Sequence, residues 1–191
     1  MIRAHFVLLS ATLFLAISLT DTAEAQWSAG VSYELRNEAP ANGFGVRVDR
    51  SIFPEVTAID IGLRAHFSYF AETNSLSHEG VTIERNFETF DLGVAGTGGI
   101  TVGLVKPYVG LGIGLDNSSL EFSEPANNQT IESRFPFNKA DFYWNGFLGA
   151  EVSVSPLVFP FIEYRFSQIS GRDDINLRNV SRLALGISLR F

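Results

Sequence analysis

The sequence predicts an all-β fold: an eight-stranded antiparallel up-and-down transmembrane β-barrel with its apolar side chains turned outward. Three observations predict it. Apolar residues recur at every second position in about eight runs, the period of a strand and not of a helix. The intervening positions carry charges of both signs among Gly, Ser, Ala and Thr, which fits a narrow interior where ions must pair to offset desolvation. Connections between runs alternate between tight, proline-bearing turns and polar, mostly longer segments, the pattern of a meander with short turns on one rim and loops on the other.

Composition narrows the function. The chain has 191 residues, 17 Phe, 17 Gly, no Cys and a formal net charge of -7. That length suits one domain. Without cysteine there is no disulfide scaffold, thiolate metal site or cysteine nucleophile. A net negative chain argues against a nucleic-acid partner, which normally requires a basic face.

Residues 1–25 read as a signal peptide. Arg3 supplies the positive start, Phe6 to Leu19 the apolar core, and Ala23-Glu24-Ala25 a small-x-small cleavage site. The apolar core is shorter than the roughly 20 residues a spanning helix needs. The barrel domain is expected over residues 26–191, with no lipid-anchoring cysteine and no further domain after the last strand.

The runs follow in order. The first puts Trp27, Ala29, Val31, Tyr33 and Leu35 on one face, against Ser28, Gly30, Ser32, Glu34 and Arg36. The second sets Phe44, Val46 and Val48 against Gly45, Arg47 and Asp49. The third sets Ile59 to Tyr69, odd positions, against Asp60, Gly62, Arg64, His66 and Ser68. The fourth has Phe90, Leu92, Val94, Ile100, Val102 and Leu104 against Asp91, Gly93, Ala95, Thr97 and Gly99. The fifth alternates Val109, Leu111, Ile113 and Leu115 with Gly110, Gly112, Gly114 and Asp116. The sixth opposes Phe142, Trp144, Leu148, Ala150 and Val152 to Asp141, Tyr143, Asn145, Gly149 and Glu151. The seventh opposes Val158, Ile162, Tyr164 and Phe166 to Glu163, Arg165 and Ser167. The eighth opposes Leu183, Leu185, Ile187, Leu189 and Phe191 to Arg182, Ala184, Gly186, Ser188 and Arg190.

Tight turns are expected at Pro54, Pro107 and Pro156, where the fixed φ and missing donor suit a turn. The polar connections are expected at Asn37–Asn42, Ala71–Arg85, Asn117–Asn138 and Ile169–Asn179.

Two barrels compete for this pattern. A soluble one keeps the apolar face around a ligand; a membrane one turns it to lipid. The apolar parity is rich in Leu, Ile, Val and Phe, with charge only at Arg50 and Glu88 near run ends, and each run supplies about the 9–11 residues a spanning strand needs. Aromatics such as Trp27, Tyr33, Tyr69 and Trp144 fall toward run ends, where interfacial girdles belong. The membrane barrel follows, because closure leaves no unsatisfied strand edge in lipid.

The final stretch, VSRLALGISLRF, resembles the C-terminal strand of bacterial outer-membrane proteins. Gly186, Leu189 and Phe191 match the usual polar-Gly-x-x-apolar-x-apolar pattern, with Leu185 standing where a polar residue is common. KPYVGLGIGLD and FPFIEYRFSQI are similar to segments of the small OmpA/OmpX-like outer-membrane barrel family. The resemblance implies a bacterial outer-membrane location after signal-peptide cleavage, recognition of Gly186, Leu189 and Phe191 by the barrel-assembly machinery, and outer-membrane lipid and lipopolysaccharide as partners. It says little of activity, since the fold hosts adhesins, stabilisers, small pores and a few lipid-modifying enzymes.

A search for chemistry finds little. His78-Glu79 has no second histidine to complete a zinc helix motif, and GLGIGLD is followed by no helix pattern to cradle phosphate. The His-x-Ser-Asn segment of outer-membrane lipid deacylases has no counterpart in RFSQISG. His66 with Asp60, Asp91 or Ser68 offers a relay on paper, but reads better as one donor among luminal charges. Those charges, Arg47, Arg64, His66, Glu151, Glu163, Arg165 and Arg182, are expected to form a network that plugs the lumen, or else lines a narrow diffusion channel. No catalytic site, cofactor or metal is expected. The function read from the sequence is therefore a structural or surface-interaction role carried by loops, with a narrow channel and a lipid-modifying enzyme as alternatives. The surface ligand is left open; Asn117–Asn138, with Phe122, Phe135 and Phe137, is the candidate recognition loop.

Overall fold

The structure is a computed structural model that describes residues 27–52, 59–78, 81–123, 141–170 and 177–191. Eight antiparallel strands close into one barrel: β1 (Trp27–Arg36), β2 (Asn42–Ser51), β3 (Ile59–His78), β4 (Val81–Ile100), β5 (Val105–Ser123), β6 (Asp141–Val152), β7 (Val158–Ser170) and β8 (Leu177–Arg190). Each strand pairs with its neighbours in sequence, and β1 with β8 closes the cylinder. At the seam the backbone of Phe191 bonds that of Trp27 in both directions (3.2 and 2.9 Å). No edge is left along the closed part, so every ladder donor there has a partner without water.

The predicted parity holds through all eight strands. Phe44, Leu111, Val31, Leu92 and Leu148 point outward and are exposed, while Arg47, Arg64, Asp91 and Glu163 point inward and are buried. Tyr33, Phe44, Tyr69 and Phe90 form one continuous cross-strand row on the outer wall, with Tyr33 edge-on to Phe44 at 5.7 Å.

Three connections differ from the sequence reading. The turn between β4 and β5 lies at residues 101–104, not at Pro107. Val102 and Val105 bond each other in both directions, and Gly103 takes φ 61°, a left-handed conformation that a side chain strains. Pro107 instead sits in β5 opposite Ala150, just before the β4 ladder begins at Tyr108, a strand-end position where its missing N–H is tolerated. The second difference is Ala71–Arg85, read as a loop. There β3 and β4 stay paired up to His78 and Val81. The third is Asn117–Asn138, also read as a loop, whose residues to Ser123, Phe122 among them, continue β5 along β4. Pro156 lies in a tight connection, as expected. Pro54, the signal peptide, most of the candidate recognition loop (residues 124–140) and residues 171–176 lie outside the described residues.

The outward extension is large. β3 and β4 have 20 residues each and β5 has 19, against 10 in β1 and β2. A spanning strand needs about 9–11. β2 stops pairing with β3 at Phe70, and β6 stops pairing with β5 at Asp116. Beyond those points β3, β4 and β5 continue as a three-stranded sheet whose outer edges pair with no other described strand.

The lumen is packed by aromatics, of which the sequence reading placed only Tyr143 on the inward face. Phe70, Tyr108, Tyr143, Phe147 and Phe161 are buried inside, and each lies directly opposite a glycine on the neighbouring strand: Gly43, Gly149, Gly114, Gly110 and Gly186. The glycines make room. A Cβ on Gly149 would stand 2.5 Å from the Tyr108 ring and 2.6 Å from the Ile162 carbonyl oxygen. Gly149→Ala is therefore expected to destabilise the barrel by about 1–3 kcal/mol through overpacking, read as a lower urea midpoint of the folded form in micelles.

Candidate functional site

The interior is built from alternate residues of strands that the closed cylinder brings face to face. Among the described residues, its buried ionic groups are five arginines (Arg36, Arg47, Arg64, Arg165, Arg182) and five carboxylates (Glu34, Asp91, Asp116, Glu151, Glu163). Equal numbers matter because an unpaired ion in so dry a space would cost several kcal/mol.

Two tiers of ion pairs cross the lumen. In the tier nearer the short turns, Glu163 on β7 is the hub and is 2% exposed. It accepts hydrogen bonds from Arg165 (2.7 Å), Arg47 (3.4 Å), the Tyr108 hydroxyl (2.9 Å) and Arg64. Arg47 on β2 also donates to Glu151 (2.5 Å) and Ser188 (2.8 Å), so one guanidinium ties β2 to β6, β7 and β8. Arg64 reaches Asp49 as well. The guanidinium of Arg47 lies over the Phe161 ring at 3.5 Å, and that of Arg64 over Phe147 at 4.9 Å. Such stacking suits arginine, whose planar head is weakly hydrated.

The tier nearer the long connections centres on Arg182 of β8. It donates to Asp91 (2.6 Å), Glu34 (3.1 Å) and Ser68 (2.9 Å), joining β8 to β4, β1 and β3. The Tyr143 hydroxyl donates to Asp91 (3.3 Å), and His66 Nε2 lies 2.8 Å from the same hydroxyl. Arg36 and Arg182 both stack on Phe70, at 4.7 and 5.0 Å. At the short-turn rim Asp60 binds Lys106 and Ser51.

The structure places all seven residues expected in the luminal network inside the barrel: Arg47, Arg64, Glu151, Glu163 and Arg165 in one tier, His66 and Arg182 in the other. Glu34, Asp91, Tyr108 and Tyr143 complete it; the sequence reading put Glu34, Asp91 and Tyr143 on the inward face, and Asp91 beside His66, without assigning them to the network. Their signal was available, since each shares the inward parity of its strand. The catalytic relay on paper is not assembled. His66 meets Tyr143 and Asp91, Ser68 is held by Arg182, and Asp60 is engaged with Lys106. Among the described residues no group of three His, Asp or Glu side chains is placed to hold a metal ion.

The other predicted cluster lies on β8. Gly186 faces inward under the Phe161 ring, which a Cβ there would meet at 2.5 Å. Leu189 faces outward and is half exposed, and Phe191 closes the seam with Trp27.

What the arrangement can do follows from its geometry. The charged groups of both hubs are committed to carboxylates, guanidinium groups, hydroxyls or rings across the lumen. The interior is a crosslinked plug that holds the strands in register, and among the described residues it presents no exposed nucleophile.

No protein-family model matches the sequence, and no curated protein does. Solved structures do match. A major outer membrane protein from Thermus thermophilus aligns with a TM-score of 0.60 at 12% identity, covering 86% of this chain and 99% of that one. Neisserial surface protein A aligns at 0.56 and 14%, covering 86% and 96%. Ail, the attachment invasion locus protein of Yersinia pestis, solved with the heparin analogue sucrose octasulfate, aligns at 0.51 and 15%, also covering 86% and 96%. These likenesses run over the same closed cylinder whose outer wall is apolar and whose lumen is ionic. The chain has the fold of the small OmpA/OmpX-like outer-membrane barrels.

Proposed function

We propose that this chain is a non-enzymatic integral protein of the bacterial outer membrane whose role is structural or surface-interaction, exerted by the part that stands beyond the lipid. The observation that carries the reading is the split within one molecule between a plugged barrel and a projecting sheet. The barrel engages the carboxylates and guanidinium groups of its two hubs in crosslinks across the lumen, while β3 and β5 run on for about two-fifths of their length past β2 and β6, with β4 between them. A protruding sheet edge is a surface that another chain can pair with. Arg178 at the mouth, bound to Glu38 (3.1 Å) and Asp116 (3.4 Å), ties the start of β8 to the β1–β2 connection beneath it. Two of the proteins similar in fold carry surface or attachment in their names, which supports the same reading.

Lipid and lipopolysaccharide against the wall, and the barrel-assembly machinery at Gly186, Leu189 and Phe191, are the partners this reading requires. The test is reconstitution of the chain into phospholipid vesicles. The expected result is a heat-modifiable folded form whose barrel resists protease while residues beyond Phe70 and Asp116 are cut. Planar-bilayer recording is expected to show no persistent conductance steps. A chain that stays monodisperse in buffer without detergent would overturn the membrane reading. Steady conductance abolished by Glu163→Gln would instead favour the narrow channel.

A further inference from the structure

The outer wall is not uniformly apolar. Arg50 faces outward at the short-turn end of β2, and its guanidinium stacks over the Trp27 ring at 5.1 Å. Among the described residues it has no carboxylate partner. From it a furrow crosses the wall along a single row of directly opposed residues: Arg50, Leu63, Gly96, Leu111, Gly146 and Phe166 stand opposite one another on successive strands. The furrow comprises two grooves, of about 1060 and 530 Å3, that meet at Gly96 and Leu111.

The row climbs as it crosses. Counted from the short-turn end of each strand, Arg50 is the second residue of β2, Leu63 and Gly96 the fifth of β3 and β4, Leu111 and Gly146 the seventh of β5 and β6, and Phe166 the ninth of β7. It therefore starts at the rim beside Trp27, where an interfacial aromatic belongs, and rises into the apolar band. From β2 to β7 it crosses five inter-strand spacings, about 24 Å, against roughly 15 Å for the hydrocarbon depth of one leaflet. The part of it from Arg50 to Leu63 and Gly96 climbs three residues, about 10 Å along the strands, and lies within that leaflet.

We infer that this furrow is a phospholipid site, with the lipid phosphate on Arg50 and one acyl chain along the row; the inference rests on the membrane-spanning reading above. The charge selects the occupant. A guanidinium at the lipid surface recognises a phosphate by charge-assisted, bidentate hydrogen bonds, and the only continuous surface leading from it is apolar. A second copy side by side would bring its own Arg50 to the same rim, while the outward carboxylate of the described wall, Glu88, lies toward the far end of β4, thirteenth from the short-turn end.

The test uses the purified full chain in detergent micelles doped with palmitoyl-oleoyl phosphatidylglycerol or phosphatidylethanolamine, with bound lipid read by native mass spectrometry. Gly96→Leu fills the furrow without strain, because nothing lies within 4 Å of the place its Cβ would take. Arg50→Gln removes the charge. Val46→Leu, also outward on β2 but off the row, is the control. The expected result is one retained phospholipid in the natural chain and in Val46→Leu, with at least a fivefold loss of retention in Arg50→Gln and in Gly96→Leu. Equal retention in all four proteins would overturn the site, and so would no retention by a natural chain that still migrates as a heat-modifiable barrel. Loss of a dimer in Gly96→Leu with lipid retention unchanged would overturn it in favour of self-association. Absence of the heat-modifiable form altogether would defeat the membrane reading itself, and the site with it.

Discussion

Leu111→Arg is expected to lower the stability of the folded barrel by about 2–4 kcal/mol, and the size of the loss distinguishes lipid from water as the solvent of the outer wall. Leu111 is 70% exposed. On a water-facing surface a substitution at such a position changes stability by no more than about 0.5 kcal/mol. In lipid the same arginine must lose its hydration or drag water and headgroups inward. Ile61→Arg, on the same face of β3, is expected to behave alike, with a smaller loss the nearer either site lies to the interface. Urea titration of the protein in phospholipid vesicles, followed by the heat-modifiable band, measures both. A change within about 0.5 kcal/mol at both positions would return the chain to the soluble class of barrels.

Glu163→Gln is the second large effect. Glu163 is the acceptor shared by Arg47, Arg64 and Arg165, so neutralising it leaves Arg165 without a carboxylate partner among the described residues, beside two guanidinium groups that keep only Glu151 and Asp49, in a space closed to solvent. Removing one partner of a buried ion pair costs about 3–5 kcal/mol, and that loss is expected in the same titration. The companion variant makes the argument specific. Adding Arg64→Met to Glu163→Gln removes one of the cations crowded round the neutralised site, so the double variant is expected to be less destabilised than the sum of the two single variants, by about 0.5–3 kcal/mol. Strict additivity would show that the tier does not act as a unit.

Both results bear on how function is divided in this molecule. Stability of the cylinder resides in its wall and its two ionic tiers, and neither is free to serve a ligand in water. The projecting parts of β3, β4 and β5 carry no such duty.

The alternation was legible residue by residue because it is a local property. Whether Leu111 faces out and Gly110 in depends only on the pleat, so fold class, inward and outward sets, and the inward placement of the seven expected luminal residues could be read from one-dimensional spacing. The connection Ala71–Arg85 was misread for a related reason. Outside lipid nothing demands an apolar wall, so the alternation fades there while the backbone ladder between β3 and β4 goes on to His78 and Val81. The turn at Gly103 was displaced by the same kind of inference: Pro107 looked like the breaker, but the residue that needs a left-handed φ was four positions earlier.

What only the tertiary structure decided is who meets whom. Arg47 and Glu151 are 104 positions apart and Arg182 and Asp91 are 91 apart, and no spacing rule joins them. They meet because closing eight tilted strands sets one stagger for the whole cylinder, and that stagger chooses each partner across the lumen. It also sets each inward ring of Phe70, Tyr108, Tyr143, Phe147 and Phe161 over a glycine, and it strings Arg50 and Gly96 along one furrow of the outer wall. The sequence by itself determined which side of the wall each residue occupies, since that follows from the two-residue period; the closed barrel alone determined its neighbours, since those follow from the register around the ring.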